Sequence, residues 1–296
     1  MINRLLLGSY SLLPTPYFLL ATSSPSFSAF SASFDALLTA ALLYIAYLGW
    51  RRAWLGRIAT AIAALGFLGL SAGLTLRGVE AGHWPLTNHF EFALLFGWAT
   101  LGAYLLLEWT GYPRSLGAFV MPVVVGLTSY ALLSLSPAEQ AIRPLSPVLR
   151  SIWLQIHVLS AALGYGTGGA AAGLGALFLL QSHRPETGGL PPADKIEEAM
   201  TRAISIGFPF LSLALLAGAI WAHTAWGRYW GWDPKEVWTL VTWLVYLTFL
   251  HGRSLRGWRG RRLAWLALLG FGGVLFTFLG VDWLVKVSQL QSLHVY

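Results

Sequence analysis

The 296-residue sequence contains no cysteine. That removes disulfides, thiolate metal sites and redox thiols, so any metal centre must use histidine or carboxylate. Charge is scarce as well. Asp, Glu, Lys and Arg make up only 10% of the chain against 56% hydrophobic residues, with a mean hydropathy of +0.62. So little polar surface cannot cover a soluble globule of this length. The net charge of +7 is not a nucleic-acid footprint, because the basic residues lie in short connections between apolar runs, where orientation in a bilayer explains them.

What is present is a series of apolar runs, each long enough for the roughly 20 helical residues that cross a hydrocarbon core. The sequence predicts an all-α polytopic membrane protein with about eight spans, near 34–50, 57–76, 90–109, 115–134, 147–181, 203–224, 236–251 and 262–285. The fifth run is too long for one straight span, and its glycine-rich stretch Gly164–Gly175 permits close helix packing. Ser136-Pro-Ala-Glu139 carries a capping signature for a short surface helix between spans four and five. Residues 1–33, broken by Pro14 and Pro16 and then serine-rich, read as an N-terminal surface segment, with the transmembrane helical domain at 34–296. Most Lys and Arg fall in one alternate set of connections, including Arg253, Arg256, Arg259, Arg261 and Arg262, while Arg77 and Lys235 are among those in the other. The richer set is expected to be cytoplasmic, which puts both termini outside.

Between spans six and seven lies Trp226-Gly-Arg-Tyr-Trp-Gly-Trp-Asp-Pro-Lys-Glu-Val-Trp238. On the orientation above, this loop is external. Large π faces (Trp226, Trp230, Trp232, Trp238) beside cationic Arg228 and Lys235 suit a flat aromatic ligand carrying acidic groups. Haem, a planar macrocycle with two propionates, is such a ligand. An aromatic belt at the membrane interface is the plainer alternative. Asp233-Pro-Lys-Glu236 has the order of a helix start, N-cap acceptor, proline, then glutamate, so a structural role for Asp233 and Glu236 is preferred over direct ligand contact.

The histidines separate by depth. His157 sits seven residues beyond Arg150 in a span that begins outside, roughly 10 Å in at 1.5 Å per residue, and His294 follows the last span. Both are in reach of the tryptophan loop. His251 ends the span that starts at Pro234, roughly 25 Å further in, near the cytoplasmic face, where an interfacial residue at a helix C-terminus is the bland alternative. His183 reads as solvated, His83 and His89 as loop and interface residues, and His223, beside the tryptophan loop, stays open as a site residue.

The Trp226–Glu236 segment resembles the WWD signature of haem-handling membrane proteins, and the Lys-Glu after Asp-Pro is similar to the CcsA (ResC) branch of System II cytochrome c biogenesis. His83-Trp-Pro-Leu-Thr-Asn-His-Phe-Glu91 is similar to that family's Pro-Leu-Ser-Asn-x-Tyr-Glu stretch, and Trp258-Arg-Gly-Arg-Arg262 and Phe278-Leu-Gly-Val281 extend the likeness over most of the chain from about residue 34. The resemblance implies that His157 and His294 are outer axial ligands of haem b iron and His251 a membrane-embedded haem histidine. It implies a ResB/CcsB-like partner and apocytochrome c as substrate, in a bacterial cytoplasmic membrane or its thylakoid equivalent. His223 stands where relatives often have asparagine, and the ending Leu293-His-Val-Tyr296 departs from the usual Leu-His-Ser-Tyr. The implied activity is that of a cytochrome c synthase component, moving haem outward and supporting thioether attachment to a Cys-x-x-Cys-His segment. The alternatives are a haem exporter or chaperone that forms no bond and, more distantly, a transporter of another aromatic anion. No general acid or base stands out.

Overall fold

Ser24 accepts a hydrogen bond from the backbone N–H of Phe27 and Pro25 occupies the first helical position, so a helix starts there rather than at residue 34. In the computed structural model, which describes residues 24–183 and 190–288, α1 runs over Pro25–Trp50. Residues 25–33, expected at the surface, are thus part of the first long helix. Two of their serines are tied down: Ser33 Oγ donates to Ala29 O at 2.6 Å, and the Ser26 backbone N–H and hydroxyl donate to the two Glu80 carboxylate oxygens, at 2.9 and 2.5 Å.

The chain continues through α2 (Ala53–Ala81), α3 (His89–Trp109, capped by Asn88) and α4 (Gly117–Ser129), which leads into a π-helical turn at Tyr130–Ser134. The short helix α5 (Pro137–Gln140) carries the capping box expected between spans four and five. Then come α6 (Ile152–His183), α7 (Ala193–Trp226), α8 (Pro234–Leu255), α9 (Arg261–Leu275), a second π-helical turn at Phe276–Gly280, and α10 (Val281–Ser288).

The molecule is therefore an all-α polytopic membrane protein. Seven helices are long and apolar enough to cross a membrane. The remaining expected span, 236–251, forms α8, whose 22 residues reach roughly 33 Å. It is not among those seven, because Trp, Thr and Tyr replace aliphatic side chains along it.

The glycine-rich helix α6 is the hub, touching α3, α4, α7 and α9. A Cβ on Gly166 would lie 2.6 Å from the Ala99 backbone carbon, and one on Gly173 would lie 2.5 Å from the Phe119 carbonyl oxygen. Backbone meets backbone at both crossings, which only glycine permits. Polar groups between helices are paired. Arg77, expected in a connection, is inside α2, where it is buried with Nε 3.1 Å from Glu91 Oε1, and its Nη2 donates to Gln140 O at 2.6 Å. Toward the other end of α3, Glu108 accepts from Tyr44 (3.0 Å), Thr60 (2.5 Å), Tyr104 (2.7 Å) and Arg114 (2.9 Å). Buried charges persist only with such complements of partners.

Candidate functional site

Helix α7 ends at Gly227, whose φ of +75° turns the chain out of the helix. The following loop is pinned to the start of α8. Asp233, buried, accepts from the Lys235 backbone N–H at 2.9 Å, and Glu236 Oε2 accepts from the N–H groups of Gly231 (2.8 Å) and Asp233 (3.1 Å). This is the helix start predicted from Asp-Pro-Lys-Glu. The Arg228 guanidinium packs over Gly231. Trp232 adopts a φ of +56° and leaves 73% of its surface exposed. A left-handed backbone costs a non-glycine residue about 1–2 kcal/mol, and the ring's exposure shows that core packing does not offset that cost.

Under this loop lies a cleft that opens to its surroundings. Tyr229, Trp230, Lys235 and Glu236 form the loop side of its wall, His157 and Gly218 the α6–α7 side, and Tyr165, Thr239, Thr277 and Phe278 lie deeper along the helices. Phe278 belongs to the second π-helical turn and meets Tyr130 of the first edge-on at 5.8 Å. The second widened turn thus lines the cleft, and the first packs behind it.

His157 is half-buried, with Nδ1 2.8 Å from the Ala214 carbonyl oxygen. A carbonyl only accepts, so Nδ1 carries the proton and, in the neutral ring, the lone pair is on Nε2; such a hydrogen bond fixes the ring's orientation. Asp282 of α10 lies against two side chains that line the cleft, 2.7 Å from Lys235 Nζ and 2.7 Å from His89 Nε2. Their meeting ties the starts of α3 and α8 to the last helix. Neither His89 nor Asp282 was expected here, since they are far apart in sequence and neither belongs to the tryptophan loop.

Of the residues picked from sequence, His157, Trp230 and Lys235 are brought together on the cleft. Trp226 stands behind it, edge-on to buried Trp221 at 4.8 Å, whose Nε1 donates to Val148 O at 3.1 Å. Trp238 packs on Phe276 at 4.3 Å, Trp232 meets Trp230 edge-on at 5.8 Å, and Arg228 and Asp233 serve the loop itself. His223 stacks on Tyr229 at 4.3 Å, which supports that ring where it lines the cleft. His251 is exposed in the last turns of α8, at the opposite end of the bundle. His294 lies outside the described residues.

Among the described residues no three His, Cys, Asp or Glu side chains converge as a metal site. A porphyrin-bound iron does not need such a cluster. The macrocycle supplies the equatorial nitrogens, and the protein needs only axial ligands and flat apolar walls. His157 beside Tyr229 and Trp230 fits that demand.

Residues 86–288 match the family model described as cytochrome C assembly protein. The chain is 33% identical to the cytochrome c biogenesis protein CcsA of Gloeobacter violaceus, over 90% of this chain and 94% of that one. It is 36% identical to CcsA of Trieres chinensis, over 74% of this chain and 80% of the relative. Among solved structures it is similar to the cytochrome c heme lyase CcmF, with a TM-score of 0.68 at 19% identity, covering 94% of this chain and 48% of the CcmF chain. That last likeness is one of fold, and this chain spans about half of that structure's length.

Proposed function

The chain belongs to the cytochrome c assembly protein family, and from that membership we propose that it is the haem-handling subunit of a cytochrome c synthase. Its role lies in cytochrome c biogenesis, and its substrates on this reading are haem b and an apocytochrome c segment Cys-x-x-Cys-His. The observation that carries the reading is the convergence of His157, Tyr229, Trp230 and Lys235 on the same cleft.

The proposed division of labour follows from residue chemistry. His157 binds haem iron through Nε2, with His294 as the second outer ligand. The ring faces of Tyr229 and Trp230 hold the macrocycle, and exposed Trp232 extends that surface toward the incoming polypeptide. Lys235 meets a propionate by exchanging it for Asp282. Fixing the macrocycle presents its vinyl groups to the cysteine thiols. Each thiol adds its sulfur to the inner vinyl carbon and its hydrogen to the outer one, and the gain comes from proximity and orientation. The substrate histidine displaces one outer ligand, which releases the product. His251 receives haem at the opposite face, with a ResB/CcsB-like partner completing that site. The cleft and tryptophan loop face the outer side of the membrane.

The reduced absorption spectrum of the detergent-purified protein tests this. A bis-imidazole haem b signal that weakens in His157→Ala and His294→Ala supports the outer site. A colourless protein from haem-replete cells, with and without its partner, refutes it. Reconstitution with apocytochrome separates synthase from exporter or chaperone, because only a synthase yields thioether-linked product.

A further inference from the structure

We propose that Glu197 is the positioning residue for His251, holding the 256–260 connection as a collar on the last turn of α8. The inference rests on the reading of His251 as a haem histidine. It adds the group that fixes that imidazole in place.

Glu197 stands near the start of α7 with its side chain only 10% exposed. Its Oε1 is 3.1 Å from Arg253 Nη1 and 3.6 Å from Arg259 Nε, and its Oε2 accepts from the Gly260 backbone N–H at 2.5 Å. One carboxylate of α7 therefore grips both the end of α8 and the start of α9. The connection then folds back over α8. Arg259 Nη1 donates to the carbonyls of Arg253 (3.1 Å) and Trp258 (2.8 Å), and the Trp258 N–H donates to Gly252 O at 2.9 Å. The Trp258 indole lies against Gly252, in the space any larger side chain would occupy.

Helix ends ordinarily fray because their last carbonyls lack partners. Here the carbonyls of Gly252 and Arg253, the two residues after His251, are both engaged by the collar, so the turn carrying His251 cannot rotate independently. His251 itself stays exposed. An exposed imidazole on an immobilised turn is what an iron ligand requires and what a merely interfacial histidine does not. Two guanidinium groups on one carboxylate also leave the collar cationic, which suits the approach of an acidic porphyrin.

The test uses the full chain with its partner, in detergent, comparing Glu197→Gln, Glu197→Asp and Gly252→Ala. Inner-site haem is read by its absorption in a His157→Ala background, and outer-site haem by titrating haem into purified protein of a His251→Ala background, which bypasses delivery from the inner site. Tryptic cleavage at Arg256–Arg262 in protein from haem-depleted cells reports the collar without haem. Glu197→Gln is expected to speed cleavage several-fold and lower inner-site haem by about 10-fold, the scale of losing an outer-shell partner, with outer-site haem unchanged. Glu197→Asp should restore part of the inner signal, and Gly252→Ala, which evicts Trp258 from the other side, should reproduce the loss. Wild-type inner-site haem in Glu197→Gln, or equal loss at both sites, overturns the proposal. If His251→Ala itself leaves haem content unchanged, the inner site falls first and the positioning role falls with it.

Discussion

Gly218 of α7 faces the His157 ring so closely that a Cβ at 218 would lie 2.7 Å from Nδ1. The missing side chain is what lets Nδ1 reach the Ala214 carbonyl one turn earlier on the same helix. Gly218→Ala should push the imidazole off that carbonyl. We expect haem affinity at the outer site to fall by about 10–100-fold, approaching the His157→Ala level, with the helical circular dichroism unchanged. Haem titration of the purified protein checks this, and wild-type affinity would show that Gly218 is only a packing residue.

Trp232 separates stability from function. Its φ of +56° and 73% exposure mean that the backbone would be more comfortable with glycine and the core would not notice. Trp232→Gly is expected to keep or slightly raise the unfolding midpoint while reducing haem loading. A lowered midpoint with normal loading would contradict the functional reading of the strained ring.

Asp282 joins Lys235 and His89, and its removal leaves the ammonium and the imidazole without their shared carboxylate. The cluster is partly exposed, so Asp282→Ala should cost more than the roughly 1 kcal/mol ceiling of a surface pair and less than the 3–5 kcal/mol of a buried one. Asp282→Asn should cost less than Asp282→Ala, since its carbonyl still accepts from Lys235. Thermal unfolding in detergent ranks the two.

Arg77 and Glu91 are a buried pair, 4% and 1% exposed. Either single substitution to leucine strands a charge and is expected to cost about 3–5 kcal/mol. The double variant should cost clearly less than the sum of the singles, a coupling of at least about 1 kcal/mol. It will not return to wild type, because Arg77 also donates to Gln140 O and Glu91 also accepts from Thr87. Additive singles would place the energy elsewhere.

Gly173 is expected to tolerate nothing larger. Alanine there meets the Phe119 carbonyl oxygen at 2.5 Å, whereas Gly126 of α4 has nothing within 4 Å of its ideal Cβ. Overpacking of this kind costs about 1–3 kcal/mol, so Gly173→Ala should lower the yield of monodisperse protein while Gly126→Ala does not. Equal yields would mean that α6 and α4 are free to part.

Much of this was legible along the chain because it depends on near neighbours. Hydropathy runs located the helices, and Asp233-Pro-Lys-Glu236 and Ser136-Pro-Ala-Glu139 specified their caps, since capping joins residues three apart. Helical rise alone put His157 and His251 at different levels. The first helix starts earlier than expected: Ser24-Pro25 is a local cap, but the serine-rich turn it opens is held by Glu80 on α2, a partner far away in sequence.

The cleft was only partly legible. Which aromatic rings of the tryptophan loop turn inward depends on the loop's folding onto Glu236 and on the neighbours that receive Trp226 and Trp238. His89 and Asp282 meet only because α3, α8 and α10 begin at one place. The sequence by itself determined a membrane-spanning helical protein with a histidine and an aromatic loop suited to a flat acidic ligand, because composition, periodicity and capping are local chemistry. Only the tertiary structure decided which side chains share the cleft, because contacts between helices far apart in sequence are set by backbone approach at residues such as Gly166, Gly173 and Gly218.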